Sequence, residues 1–217
     1  MQTVSILIAD DHSVVRRGLR ALLETQQGWK VISEVSNGRE AAEKCAKLLP
    51  DLAILDISMP DLNGLDAAAL ITKSSSRTKI LVLTMHSDEE LIRKTIRAGA
   101  RGYVLKSDAE RDLITAVDAL LQGKTFFTAA ASEVLLAGMS ESGRRKVEVE
   151  PGARLSVRER EIVQLLAEGR SNKEVAAVLN VSTRTVESHR AKIMRKLKLY
   201  SLGELVRYAV RNKIVQA

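Results

Sequence analysis

Five short β-rich apolar runs alternate with amphipathic stretches over the first 121 residues, and this constrains the chain more than any other feature. The runs are 4–9, 31–35, 51–55, 79–83 and 103–105. Between them, apolar residues recur at helical spacing near 13–25, 39–48, 65–73 and 89–98, and a last such stretch covers 109–121. Short strands separated by helices of about ten residues predict βαβ units and a parallel sheet covered on both faces. Crossovers in such units are right-handed, which leaves few topologies. Ligands of doubly wound sheets bind beyond the carboxyl ends of the strands, where the strand order reverses.

The strand ends are therefore the place to look. The first run finishes in Asp10-Asp11, the third in Asp56, the fourth in Thr84 and the fifth in Lys106. Three carboxylates, one hydroxyl and one ammonium are expected on a single edge. Crowded carboxylates repel one another unless a cation neutralises them. Oxygen ligands without His or Cys favour a hard ion, and Mg²⁺ is the usual one where a phosphoryl group must also bind. A carboxylate beside Mg²⁺ and a lysine can attack a phosphoryl donor and hold an aspartyl phosphate. Mg²⁺ and Lys106 would neutralise charge on the transferring oxygens, and Thr84 could donate a hydrogen bond to one of them. Each residue also has a plainer role open to it. Asp10 could cap the following helix, and Thr84 and Lys106 could be ordinary loop and surface groups. Coincidence of type and position at four strand ends favours the chemical reading.

Charge divides the chain. Residues 1–125 carry 17 Lys+Arg against 17 Asp+Glu, whereas residues 151–217 carry 14 against 6, net +8 of the overall +7. Residues 126–150 account for the difference at −1. A basic segment behind a neutral one points to a polyanion partner for the C-terminal part. The stretch from Ser140 to Arg154 is polar, breaker-rich and without apolar period, and reads as a linker. The single cysteine, Cys45, excludes an intrachain disulfide and a Cys-based zinc cluster, and it reads as a small buried hydrophobe. His12, His86 and His189 form no HxxxH pair, which disfavours a His-rich metal site. No apolar run reaches the roughly 20 residues of a membrane span. The N-terminus lacks a basic leader, so a cytoplasmic location and no membrane partner are expected.

From Leu155 the pattern is all-helical. Ser156 and Glu159 form a capping box for a first helix that Gly169 ends. The run NKEVAAVLN predicts a second helix, Asn180-Val181 a short turn, and Ser182 the cap of a third helix over 183–197. A short helix, a tight turn and a longer helix make the helix-turn-helix plan. Val186, Ile193 and Leu197 form one apolar stripe of the third helix. Arg184, Glu187, Ser188, Ala191, Lys192 and Arg195 fall on the opposite face, suited to a major groove. Lys196, with Arg190 and Lys198, lies towards the sides, within reach of phosphates. An exposed salt-laced helix is the plainer alternative, but Glu187 alone on that face is acidic.

These motifs carry a resemblance. Residues 1–121, through ADD, LDISMPDLNG, TMH and YVLK, resemble the receiver domain of two-component response regulators. Residues 155–215, through LSVRERE, GRSNKEVA and TVESH with KIMRKL, resemble the LuxR-type (GerE) helix-turn-helix. Together they match the NarL/FixJ subfamily. The resemblance implies an α/β then all-α chain: a doubly wound, five-stranded, flavodoxin-like receiver over 1–123, an extra helix and linker over 124–153, and a four-helix DNA-binding domain over 154–217. It implies Asp56 as phospho-acceptor, with Lys106 and Thr84 at the phosphoryl group. Asp10, Asp11, Asp56 and the carbonyl of Ser58 would hold Mg²⁺, and Thr84 and Tyr103 would be the switch pair. The extra helix would cover 128–139, and the last helix, 201–212, matches one used for dimer contacts. The implied function is a phosphorylation-dependent transcriptional regulator rather than an enzyme. A sensor histidine kinase would phosphorylate Asp56, draw Thr84 and then Tyr103 inward, unmask the recognition helix and favour a homodimer on promoter DNA. Ser58 and His86 occupy positions where the family tunes phosphoryl lifetime. Three other readings compete with this one. A receiver could serve only as a phosphorylation-independent dimerisation module. An aspartyl-phosphate phosphohydrolase would want a carboxylate where Ser58 stands. A flavodoxin-like cofactor site would want a phosphate loop after the first strand.

Overall fold

The computed structural model describes residues 3–85, 88–128, 131–132 and 155–215. These residues fall into two compact units.

The first unit is a parallel sheet between two helical layers. Its strands are β1 (Val4–Ala9), β2 (Trp29–Val35), β3 (Leu52–Asp56), β4 (Lys79–Thr84), β5 (Gly102–Leu105) and β6 (Phe126–Phe127). Its helices are α1 (Ser13–Leu23), α2 (Gly38–Leu48), α3 (Gly64–Ser74), α4 (Glu89–Arg97) and α5 (Ala109–Leu121). The strands lie in the order β2-β1-β3-β4-β5-β6, all parallel. Alternate strand residues serve the two faces. Ile6, Ile8, Leu52, Ile54, Leu81 and Leu83 pack on Leu19 and Leu23 of α1 and on Leu113, Val117 and Leu120 of α5. The intervening Leu7, Ala53, Leu55, Ile80 and Val82 are buried on the other face. Both faces are covered, which is why the strands read as near-continuous apolar runs rather than alternating ones.

The expected five-stranded sheet has a sixth strand. Phe126 and Phe127 pair in parallel with Gly102 and Tyr103 of β5, so the sheet extends past residue 123. Two residues are too few to show a period, and the strand exists because α5 returns the chain to an open sheet edge. β2 also begins two residues earlier than its apolar pattern, since Trp29 and Lys30 pair with Val4 and Ser5 of β1.

Strand order reverses between β1, flanked by β2, and β3, from which the sheet runs on to β6. The loops leaving β1 and β3 diverge to opposite sides there and leave a crevice at the carboxyl edge. Asp10 follows β1 and Asp56 ends β3, so the acidic residues border that crevice.

The second unit holds α6 (Val157–Ala167), α7 (Asn172–Leu179), α8 (Thr183–Leu197) and α9 (Leu202–Arg211). Ser156 and Glu159 form the expected capping box, and Ser171 with Glu174 forms another on α7. Gly169, at φ 88°, ends the turn after α6 in the left-handed region that glycine enters without steric cost. Ser182 caps α8 by accepting from Thr185 N–H. Ile162, Leu165, Leu166, Val175, Leu179, Val186, Ile193, Leu205 and Ala209 close one core. Val186 and Ile193 are fully inside it and Leu197 is half-buried, as the stripe on α8 requires.

The helix expected over 128–139 lies, apart from residues 128, 131 and 132, outside the described residues, as do His86 and the expected linker up to Arg154. Among the described residues, no helix is long and apolar enough to cross a membrane.

Candidate functional site

Asp10 is placed by its own loop. The N–H of His12 donates to Asp10 Oδ1 at 2.8 Å, and Arg16 Nη1 donates to the Asp10 carbonyl at 2.6 Å. The carboxylate is thereby turned inward, at 1% exposure. Asp56, 3% exposed, is fixed by β3 on one side and by Gly64 on the other. Gly64 N–H donates to the Ile57 carbonyl at 2.9 Å, and a Cβ on Gly64 would fall 1.9 Å from the Asp56 carbonyl oxygen. Only glycine lets α3 start this close to the acceptor strand.

Lys106 enters from the turn after β5. Its Nζ lies 2.7 Å from Asp10 Oδ2 and 2.9 Å from Asp56 Oδ2, so one half-buried ammonium bridges two buried carboxylates. With Asp56 it makes a hydrogen bond. With Asp10 it makes the shorter of the two ion pairs. Burial pushes the Asp56 carboxyl above its ordinary range and Asp10 adds to this, although Lys106 and the Ser58 N–H oppose it. Burial alone would lower the Lys106 ammonium, but the two carboxylates outweigh it and raise the group. The corner holds more negative charge than one lysine balances.

Asp11 sits at the exposed rim, 2.7 Å from His12 Nδ1. Ligand atoms of Asp10, Asp11, His12 and Asp56 all lie within 4.8 Å of one another. Thr84, the last residue of β4, is wholly buried and Tyr103 of β5 is 1% exposed. Burial, with the Asp88 carboxylate nearby, holds the Tyr103 phenol protonated. Ser58 is half-buried in the loop after Asp56.

On α8, Arg184, Glu187, Ser188, Ala191, Lys192 and Arg195 are all exposed along one face, opposite the buried Val186 and Ile193. Lys196 differs. It is half-buried and donates to Glu159 Oε2 of α6 at 2.8 Å.

Residues 6–118 match the family described as response regulator receiver domain, and residues 153–209 match bacterial regulatory proteins of the luxR family. The chain is 40% identical to the oxygen regulatory protein NreC of Staphylococcus epidermidis, over 98% of this chain and all of that protein. NreC of Staphylococcus carnosus is also 40% identical, over 98% of this chain and 99% of its own. The RcsB response regulator of Salmonella typhimurium superposes with a TM-score of 0.58 at 29% identity, covering 97% of this chain and all of RcsB. An RcsB–DNA complex gives 0.57 at 30% identity, covering 95% and 98%. The chain belongs to the response regulators.

With a LuxR-type DNA-binding half, this response regulator is a phosphorylation-dependent, DNA-binding transcription regulator. In its acidic corner Lys106 brings Asp10 and Asp56 together, Asp11 lies at the rim, and Thr84 ends the neighbouring strand. The donor set suits a divalent cation, because ligand atoms of Asp10, Asp11 and Asp56 lie within 4.8 Å of one another and carry more negative charge than the one bridging lysine balances. Sequence reading missed His12 as a member of the corner. The signal in the sequence is its position directly after Asp10-Asp11.

Proposed function

We propose that Asp56 accepts a phosphoryl group from a sensor histidine kinase and that this switches the second unit to dimeric promoter binding. The bridging of two buried carboxylates by Lys106 at the sheet's switch point carries the reading. An oxygen of Asp56 attacks the donor phosphorus, forming the O–P bond as the bond to the leaving group breaks. Lys106, already 2.9 Å from Asp56, is positioned to follow charge onto the phosphoryl oxygens. Thr84 ends the neighbouring strand and offers its hydroxyl from the buried side. Asp10, Asp11 and Asp56, with the Ser58 carbonyl, would hold Mg²⁺, which supplies charge neutralisation for the transferring group. Ser58, two residues past Asp56, leaves no acid/base carboxylate for rapid hydrolysis and supports a regulator over a phosphohydrolase.

In the second unit, α8 presents Arg184, Glu187, Ser188, Ala191, Lys192 and Arg195 to a major groove, and Lys196 serves first to brace α8 on α6. An acidic reader suits cytosine and an alanine suits a thymine methyl. Tyr200 and Leu202, large apolar side chains left exposed at the start of α9, support a homodimer through that helix. The work is cytoplasmic, where promoter DNA is. Incubation with Mg²⁺ and acetyl phosphate should add one phosphoryl group by intact mass, and Asp56→Asn should abolish it. Continued labelling of that variant would move the acceptor elsewhere.

A further inference from the structure

The acidic corner contains a nitrogen donor that the all-oxygen description of the site leaves unused. His12 sits at the N-cap of α1 but does no capping with its side chain. Ser, Thr, Asp and Asn are the usual choices there because their short oxygens reach the first-turn N–H groups. Its ring turns instead to the carboxylates: Nδ1 is 2.7 Å from Asp11 Oδ1 and 3.3 Å from Asp10 Oδ1. With metal–ligand bonds of about 2.1 Å, adjacent donors of an octahedron stand about 3.0 Å apart and opposed ones about 4.2 Å. The separations around His12 bracket the adjacent value, and the whole set lies within 4.8 Å.

We propose that His12 Nδ1 is a further ligand of the divalent cation bound in the acidic corner, and that it biases the site towards transition-metal ions over Mg²⁺. The inference rests on the reading of the corner as a cation site. Imidazole nitrogen is a borderline donor that Mg²⁺ takes poorly and that Mn²⁺, Co²⁺ and Zn²⁺ take in increasing preference over carboxylate alone. The ring carries its proton on Nε2 in this role, leaving the Nδ1 lone pair for the metal. At 65% side-chain exposure, it can meet an ion arriving from solvent without repacking the core.

The test uses the full chain with Mn²⁺ as probe. Pulsed EPR of the Mn²⁺-loaded protein should show ¹⁴N coupling from a directly bonded nitrogen, absent in His12→Phe. That variant should lose Mn²⁺ affinity by at least about tenfold, the size of effect produced by removing a group around a bound metal. Its Mg²⁺ affinity should change less than twofold. The exposed position makes misfolding of this variant easy to exclude by circular dichroism. If Mn²⁺ binds, Asp56→Asn weakens it and no ¹⁴N coupling is seen, His12 is only an ion-pair partner of Asp11 and the proposal is overturned while the cation site stands. If Mn²⁺ does not bind, or Asp56→Asn leaves its affinity unchanged, the reading of the corner fails and takes the proposal with it.

Discussion

Lys106 and Asp56 form one ion pair, yet removing one side of it should cost far more stability than removing the other. Lys106→Met keeps much of the side-chain volume and deletes the ammonium, leaving Asp10 and Asp56 buried at 1% and 3% exposure with no cation between them. At an effective dielectric of 20, each carboxylate–ammonium attraction over these distances is worth about 6 kcal/mol before desolvation. Breaking a buried pair from one side costs about 3–5 kcal/mol, because the orphaned charge stays buried. Asp56→Asn instead removes one of two mutually repelling carboxylates and leaves Lys106 paired with Asp10. It should cost less than about 1 kcal/mol or stabilise the fold, in keeping with the upward shift that burial and Asp10 impose on Asp56. Urea unfolding in metal-free buffer, followed by Trp29 fluorescence, reads the first unit alone, since Trp29 is the chain's one tryptophan. Millimolar Mg²⁺ should recover part of the loss in Lys106→Met by replacing the missing positive charge. Equal losses in the two variants, or a loss below 1 kcal/mol in Lys106→Met, would refute the electrostatic account of the corner.

Other perturbations probe separate links. Asp51 accepts from Ser5 N–H at 2.9 Å and Ser5 Oγ at 2.7 Å; burial would raise its carboxyl, but these bonds and Arg77 outweigh that and lower it. Its contribution is present above the ordinary carboxylate value of 3.8 and lost as the pH falls through the lower folded value, so Asp51→Asn should flatten the acid limb of the stability profile. Gly64→Ala drives a methyl into the Asp56 carbonyl and should abolish phosphorylation by acetyl phosphate while the variant still binds DNA through its second unit. Lys192→Ala should reduce the salt slope of DNA binding by about 1 in log–log terms with little change in stability. Lys196→Ala should show the reverse balance, losing about 0.5–1 kcal/mol of stability in the second unit as Glu159 loses its partner.

The first unit was legible because residue type and strand position coincide in it. Asp10, Asp56, Thr84 and Lys106 each stand at the carboxyl end of an apolar run, and the sheet's parallel topology then gathers all such ends on one edge. What escaped the sequence depends on pairing between distant segments. β6 has no pattern of its own and exists through the edge that β5 leaves open, and the start of β2 is set by its register with Val4. The ion pair of Lys196 with Glu159 of α6 likewise joins residues 37 apart, which no local pattern shows. His12 was hidden for a different reason. It stands far from the other histidines in the sequence and finds its companions in the two aspartates that precede it.

The central claim joins two properties in one molecule, a phosphoryl group on Asp56 and DNA affinity in α8. It is tested most directly by titrating a promoter fragment from genomic footprinting with the full chain, before and after acetyl phosphate and Mg²⁺ treatment, with phosphoryl occupancy read by intact mass on the same samples. Affinity should rise with occupancy in the wild type, and Asp56→Asn should show neither occupancy nor rise. Tight binding that is the same at zero and full occupancy would contradict it.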